Sequence, residues 1–465
     1  MEKFHPRGSH FCKPTLSLVE AKEKLQKRLA SAEAIQALIS TLAPADIFLV
    51  GGTVRDAFFE NSKTDLDVAT NLSAAEVSNR CAQKKLKVID TGIQHGTVLV
   101  VINETHIEVT TFRVPSDRDT QVNASSIQTD LSGRDFTFNA LAFCLETNDL
   151  IDPFGGVADL QAMTLRAVGD ANHRFCEDPL RILRMIRFGP AEGRSIEQTT
   201  LAAAKQNIEQ LGRVSVERIR EELERIITSP CPAAGIITLK DIGGLPWTIP
   251  ELIPAIGFEQ NRYHIHDVFD HTMAVLDRAP EDPILRWAAL FHDIGKPHTL
   301  STDESGERHF YLHEIESTKI SWERMEKLRF SHDDMKRISS VVRHHMRPMN
   351  CGPAGVRRLI RDLGDNLRLW RAFKDADSSP TISSSEVAKT ADYFDNMLNA
   401  ELRKMATPSY GRLAVNGEDL KAIGIKSGPG MGKILKQLEE IIIEDPSKNS
   451  KEALLEIVIT GLLPR

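Results

Sequence analysis

Apolar residues between Leu16 and Leu42 recur about every three to four positions among lysines and glutamates, a spacing that predicts an amphipathic helix. From about Asp46 the period shortens. Four β-branched runs follow, Ile47-Phe-Leu-Val50, Asp65-Leu-Asp-Val68, Thr97-Val-Leu-Val-Val-Ile102 and His106-Ile-Glu-Val-Thr-Thr111, and each reads as a strand. Ser73 to Lys85 reads as a helix between the second and third. After Pro153-Phe-Gly-Gly156 the pattern is helical almost throughout, with amphipathic stretches from Asp178 to Phe188 and from Val216 to Thr228. Prolines and glycines from Gly243 to Gly257 predict a linker. A second helical block carrying most of the histidines runs from about His264 to Asp377, Ser378 to Ser385 reads as a loop, and the tail ends in a further helix. The expected fold class is α+β, a small mixed sheet domain followed by mostly helical domains. The expected divisions are 1–44, 45–170, 171–255, 256–380 and 381–465.

Bulk properties narrow this picture only a little. A chain of 465 residues exceeds what one core supports, so about two to four domains are expected. Hydrophobic content of 41% and charged content of 26% are those of a soluble globular enzyme. A net charge of −7 gives no global signal for nucleic acid, although a local basic face is compatible with it. The six cysteines are scattered with no CxxC pair, which fits a reducing compartment. With no apolar run near the ~18 residues of a membrane span and no signal-peptide pattern, a cytoplasmic protein without membrane partners is expected. Nothing in the pattern bears on oligomeric state.

The first chemistry-bearing cluster is Phe48-Leu-Val-Gly-Gly-Thr-Val-Arg-Asp56 followed by Asp65-Leu-Asp67. A strand points residues i and i+2 to one face, so Asp65 and Asp67 converge. Paired carboxylates suit Mg²⁺, a hard cation that binds oxygen and leaves room for substrate phosphates. Gly51 and Gly52 lack a Cβ, so the backbone there can approach a triphosphate. Glu108, on another expected strand, is the natural third acid for metal-assisted nucleotidyl transfer. In Arg134-Asp-Phe-Thr-Phe-Asn-Ala140, the Arg-Asp pair at a helix start can hydrogen-bond a phosphate and a ribose hydroxyl. In Glu177-Asp-Pro-Leu-Arg-Ile-Leu-Arg184, Pro179 suits a first helical turn, and Asp178 and Arg181 share a face. There they offer an acceptor and a donor to the edge of a nucleobase.

The second cluster comprises His271, His292-Asp-Ile-Gly-Lys296, His313, His344, His345 and Asp377. Imidazole with carboxylate suits a transition metal such as Ni²⁺, Mn²⁺ or Fe²⁺. His292 and Asp293 offer adjacent ligands, His271 and Asp377 would close the site from other helices, and Lys296 could hold a phosphate oxygen. A metal there would activate water for phosphoester hydrolysis.

The first cluster resembles the class II tRNA nucleotidyltransferase and poly(A) polymerase family. The matching residues are Leu49-Val-Gly-Gly-Thr-Val-Arg-Asp56, Asp65-Leu-Asp67, Arg134 to Ala140, Asp152-Pro-Phe-Gly-Gly156, Glu177-Asp-Pro-Leu-Arg181 and Val216-Glu-Arg-Ile-Arg-Glu-Glu-Leu223, in order over roughly residues 45 to 230. The resemblance implies a polymerase-β-like palm over 45–170 with two metals at Asp65 and Asp67, and a helical region over 171–255 that selects the nucleobase and grips RNA. It implies that Arg134 and Asp135 handle the ribose and that Glu177, Asp178 and Arg181 choose CTP or ATP without a template. Gly51, Gly52, Arg55, Asn139 and Arg184 complete the expected nucleotide site. The second cluster resembles the HD phosphohydrolase superfamily, with His271, His292, Asp293 and Asp377 as ligands and His313 with His344 or His345 as secondary ligands. Many bacterial CCA-adding enzymes carry such a domain, and Leu413 to Gly432 is similar to their tail.

The expected activity is therefore CCA addition to tRNA from CTP and ATP with Mg²⁺, joined by an HD phosphohydrolase activity with a transition metal. Two departures set the alternatives. Gly133-Arg134-Asp135 stands where the family usually has Arg-Arg-Asp, and the stretch between Phe112 and Asp130 is shorter than in typical CCA-adding members. In the family a short loop here goes with enzymes that add only CC, so CC addition is the first alternative. Poly(A) synthesis and RNA-end phosphohydrolysis by the HD domain alone follow.

Overall fold

The computed structural model describes residues 14–31, 33–60, 66–92, 96–113, 126–260, 267–378, 384–405 and 413–461. The chain forms two compact units, 1–253 with 326–329, and 254–325 with 330–465. Among the described residues no helix is long and apolar enough to cross a membrane.

The first unit opens with α1 (Leu18–Ser31) and α2 (Glu33–Leu42), two helices where the pattern predicted one. A seven-stranded sheet follows, built from β1 (Ile47–Val50), β2 (Leu66–Thr70), β3 (Lys87–Gly92), β4 (Thr97–Ile102), β5 (Thr105–Thr111), β6 (Ala142–Cys144) and β7 (Leu150–Ile151). Its order is β3-β4-β5-β2-β1-β6-β7. β2 and β5 are parallel, and the other neighbours are antiparallel. The short α3 (Gly52–Arg55) leaves the end of β1, and α4 (Ala74–Gln83) starts from a reciprocal cap between Ser73 and Glu76.

Alternation decides which face of the sheet buries what. Phe48, Val50, Ala69, Phe112, Ala140 and Ala142 form one core cluster with Ile127 and Leu131 of α5 (Ile127–Ser132). Asp67 lies two residues before Ala69, so it emerges on this same face at the strand's beginning.

α6 (Gly156–Gln161) follows β7, and a two-stranded ribbon joins β8 (Thr164–Leu165) to β9 (Ser195–Ile196). α7 (Ala171–Glu177) and α8 (Leu180–Phe188) carry the Glu-Asp-Pro motif at their junction, and α9 (Gln198–Asn207), α10 (Val216–Ile227) and α11 (Pro232–Asp241) complete the unit. The stretch expected as a linker contains the boundary between the two units, at 253/254, but it is packed. It forms 3-10 turns over Leu245–Trp247 and Pro250–Ala255, with Leu245, Ile249 and Leu252 buried. Its leucines and isoleucine outweigh its prolines and glycines, because burying each removes apolar area from water.

The second unit is almost wholly helical. It contains α12 (Val268–Arg278), α13 (Pro283–Phe291), a small hairpin of β10 (Ser301–Thr302) and β11 (Arg308–His309), α14 (His313–Lys327), α15 (His332–His344), α16 (Pro353–Leu363) and α17 (Leu367–Ala376). It closes with α18 (Ser384–Met405), α19 (Gly417–Ala422), α20 (Pro429–Glu444) and α21 (Lys451–Ile459). Apart from Arg286, whose Nε donates to the Pro280 carbonyl, α13 is apolar, and Ile284 to Phe291 are all buried, so it runs through the core and ends at His292.

Candidate functional site

The end of β1 turns sharply at Gly51, whose φ of +58° lies in the left-handed region that disfavours a side chain. A Cβ there would sit 3.5 Å from Arg134 Nη1, and one on Gly52 would sit 3.8 Å from both Asp67 Oδ2 and Arg55 Nη2. The turn is thus flanked by two guanidinium groups and a carboxylate. The backbone N–H of Asp67 donates to Thr53 Oγ1 at 2.9 Å, which ties β2 to the start of α3. Asp67 is in direct register with Glu108 of the parallel β5. The two carboxylates therefore leave neighbouring strands on the same face, an all-oxygen donor pair of the kind Mg²⁺ prefers. Asp65 lies outside the described residues, as do residues 114–125.

Arg134 is held over the Gly51 turn by Asp130, with Nη2 3.0 Å from Oδ2. The adjacent Asp135 is buried. It accepts from Arg184 Nε at 2.8 Å and Nη2 at 2.6 Å, from Asn139 Nδ2 at 3.1 Å and from the Phe136 N–H at 2.9 Å. Burial opposes its charge, but Arg184, Asn139 and Phe136 outweigh it and hold the carboxyl below its ordinary range. Asn139 Oδ1 in turn accepts from Arg55 Nη1 at 2.9 Å. Arg55, Asn139, Asp135 and Arg184 are therefore one chain of polar contacts from the glycine turn to α8.

At the junction of α7 and α8, Glu177 binds Arg181 Nη1 at 3.0 Å and Arg174 at 2.7 Å, while Arg181 Nη2 donates to the Gly133 carbonyl at 2.9 Å. Asp178 binds Arg218 of α10 at 3.0 Å and accepts from the Leu180 N–H at 3.2 Å. Asp178 and Arg181 thus take different side-chain partners, although one backbone bond joins them.

The sequence reading gave no role to several residues that build this site. Asp130 orients Arg134, and Arg218 meets Asp178. Buried Glu222 holds Arg187 at 2.7 Å and lies 3.9 Å from Arg184. The Phe188 ring lies under Arg55, Arg184 and Arg187, at 5.2, 5.3 and 3.8 Å from its centroid. Arg218 and Glu222 both fall in the Val216–Leu223 motif, whose charged residues were the available signal. Asp152-Pro-Phe-Gly-Gly156 is a scaffold for the first site: Asp152 accepts from the Gly156 and Val157 N–H groups at 2.7 and 3.0 Å, seating α6 against Thr137.

In the second unit, His271 on α12, His292 and Asp293 after α13, His313 on α14, and His345 at the end of α15 converge as buried side chains, with Asp377 after α17 beside them. Asp293 Oδ2 lies 3.2 Å from His292 Nε2 and 3.6 Å from His271 Nε2, and Asp377 Oδ1 lies 3.4 Å from His271 Nε2. Lys296 Nζ binds Asp293 Oδ2 at 2.7 Å and Gln260 Oε1 at 2.7 Å. Burial opposes the Asp293 charge, but His292 and Lys296 keep its carboxyl well below the usual carboxylate range. The tandem histidines separate cleanly. His345 faces the cluster, whereas His344 turns its Nδ1 to the Ser340 carbonyl at 2.9 Å. These nitrogen and oxygen donors form two buried groups, His271–His292–Asp293 and Asp293–His313–His345, a donor chemistry that fits a transition-metal ion.

Comparison with known proteins follows the same division. Residues 47–166 match the Poly A polymerase head domain, residues 263–397 the HD domain, and residues 382–458 tRNA nucleotidyltransferase domain 2. An A-adding tRNA nucleotidyltransferase of Deinococcus radiodurans is 35% identical over 331 residues, covering 68% of this chain and 75% of that protein. A CCA-adding enzyme of Pediococcus pentosaceus is 30% identical, covering 89% and 93%. The crystal structure of the Bacillus stearothermophilus CCA-adding enzyme in complex with CTP superposes with a TM-score of 0.70 at 24% identity, covering 94% and 98%, a likeness of fold. A nucleotidyltransferase head and an HD domain both imply dependence on divalent metal ions.

Proposed function

This chain belongs to the class II tRNA nucleotidyltransferase family, the family of the CCA-adding enzymes, and on that premise we propose that it extends the 3′ end of tRNA with nucleotides from CTP and ATP. The observation that carries this reading is the register of Asp67 with Glu108 beside the Gly51–Gly52 turn. Asp65 and Asp67 hold Mg²⁺, which supplies charge neutralisation for the triphosphate and the terminal hydroxyl. Glu108 assists at the hydroxyl. Arg55 and Arg134, on either side of the glycine turn, take the phosphates, and the Arg134–Asp135 corner faces the ribose. Asp135 acts mainly by fixing Arg184 and Asn139. Glu177, Asp178 and Arg181 read the base edge, each held by a second charged group. The divisions 45–170 and 171–255 then serve catalysis and base selection.

The HD residues His271, His292, Asp293 and Asp377 hold Ni²⁺ or Mn²⁺ and serve hydrolysis of phosphoesters at RNA ends, within 256–380. Water adds to phosphorus, the ester P–O bond breaks, and the alcohol leaves with a proton. A reducing cytoplasmic setting completes the proposal, in keeping with the five free cysteines among the described residues.

CC addition without the last A is the second reading, favoured by the short stretch between Phe112 and Asp130. A pair of variants separates the two active sites. Asp67→Ala is expected to lower CMP incorporation into tRNA by about 10³-fold, as losing a metal ligand costs several kcal/mol, while hydrolysis of a 2′,3′-cyclic nucleotide persists. Asp293→Ala is expected to do the reverse. Retained CMP incorporation in Asp67→Ala would overturn the assignment of the first site.

A further inference from the structure

The segment that leads into His313 carries an aromatic surface that the core of the second unit does not use. Tyr311 is 70% exposed, Leu312 is 63% exposed, and Ile315 on the first turn of α14 is exposed as well. Single apolar residues on a surface need no explanation, but contiguous ones mark a place where a ligand lies. Tyr311 is exposed and yet fixed. Its ring stacks on the imidazole of His309, with centroids 5.2 Å apart and planes 12° apart. His309 is held in turn by the β10–β11 hairpin. Its Nε2 lies 2.9 Å from Asp303 Oδ2, and Asp303 Oδ1 accepts from the Ser305 and Glu307 N–H groups, each at 2.9 Å. The imidazole therefore supports one face of the phenol ring and leaves the other open.

The backbone ties this aromatic pair to the buried histidines. Phe310, between His309 and Tyr311, has its ring 5.9 Å from Lys296 Nζ, and its carbonyl lies 2.7 Å from His313 Nδ1. Leu312 has a φ of +61°, a left-handed conformation that a branched side chain adopts only where its surroundings impose it. That turn opens α14, since the Leu312 carbonyl accepts from the Ile315 and Glu316 N–H groups at 3.0 and 3.3 Å. One strained turn thus sets both Tyr311 and His313. Two residues separate their Cα atoms by at most about 7 Å, the scale of a single nucleotide.

We propose that His309 and Tyr311 form a stacking platform for the nucleobase at the RNA end whose phosphate the HD residues take. Tyr311 meets the base, and His309 is a positioning residue that holds the ring flat. An aromatic face accepts every base, because each base has a π-face. The larger face of a purine covers more of the ring, so the platform favours purines over pyrimidines without reading sequence. The inference rests on the phosphohydrolase reading for the phosphate, and on the aromatic geometry for the base.

The test compares hydrolysis of adenosine 2′,3′-cyclic phosphate, cytidine 2′,3′-cyclic phosphate and the abasic ribose 2′,3′-cyclic phosphate by the full chain with Mn²⁺. The wild-type protein is expected to favour them in that order in kcat/KM, through KM. A wild-type protein indifferent to the base overturns the proposal. Tyr311→Ala is expected to lower the adenosine-to-abasic ratio of kcat/KM by about tenfold, and Tyr311→Phe, which keeps the ring, to hold it. An unchanged ratio in Tyr311→Ala, or an equal loss in Tyr311→Phe, overturns the platform. If Tyr311→Ala fails to melt cooperatively, Tyr311→Leu replaces it under the same criterion. Hydrolysis of none of the three by the wild-type protein would sink the phosphohydrolase reading. The platform is then read by equilibrium dialysis of adenosine 3′-phosphate. Nucleotide held by the first unit is common to both proteins, so weaker binding by Tyr311→Ala supports the platform and equal binding overturns it.

Discussion

Asp178 has its acceptor atoms divided between the Leu180 N–H and Arg218, a residue on a helix 40 positions further along. A base edge that meets Asp178 meets a carboxylate whose direction is already set, so selectivity rests on one or two hydrogen bonds. Removing a partner from such a bond costs about 1–3 kcal/mol. Asp178→Ala is therefore expected to change the CTP:ATP ratio of kcat/KM by about tenfold or more, with triphosphate binding much less affected. Steady-state kinetics with each nucleotide measures it, and an unchanged ratio would remove Asp178 from base reading. At this scale the sequence was informative where chemistry is local. The adjacency of His292 and Asp293 and the glycine pair ahead of Asp67 were legible from spacing. The partners Arg184 for Asp135 and Arg218 for Asp178 were not, because pairs 49 and 40 residues apart are set by how helices stack. Nor could spacing choose between His344 and His345; their roles follow from the rotation of the last turn of α15.

The elements around the first site are held by close backbone approach as much as by side chains. A Cβ on Gly156 would lie 2.2 Å from the Thr137 carbonyl oxygen and 3.0 Å from Phe138 Cα, so α6 packs directly on the segment that carries Asp135 and Asn139. Gly156→Ala is expected to destabilise the first unit by about 1–3 kcal/mol, the usual cost of overpacking. Its thermal melting transition should fall by several degrees, and an unchanged Tm would show that the contact yields freely. The starts of elements were readable where caps announce them, as at Ser73 with Glu76. β6 and β7, three and two residues long, carry too little alternation to be seen. Their pairing depends on β1 lying alongside β6, a tertiary fact. β3 was missed because its polar Lys87 and Asp90 mask the alternation of a strand at the sheet's edge.

For the molecule as a whole, the two chemical centres are assembled independently, each from residues of one compact unit. The order of motifs along the chain was therefore a sound guide to which residues meet, since no site draws ligands from both ends of the sequence. The number of nucleotides added is the property on which the account turns. The relative from Deinococcus radiodurans is named for A addition and that from Pediococcus pentosaceus for CCA addition. The most direct measurement is to incubate the protein with three tRNA transcripts, ending in the discriminator base, in C and in CC, with CTP, ATP and Mg²⁺, and to sequence the 3′ ends. The account predicts CCA on all three. A uniform stop at CC would establish the second reading, and no extension of any transcript would contradict the nucleotidyltransferase function itself.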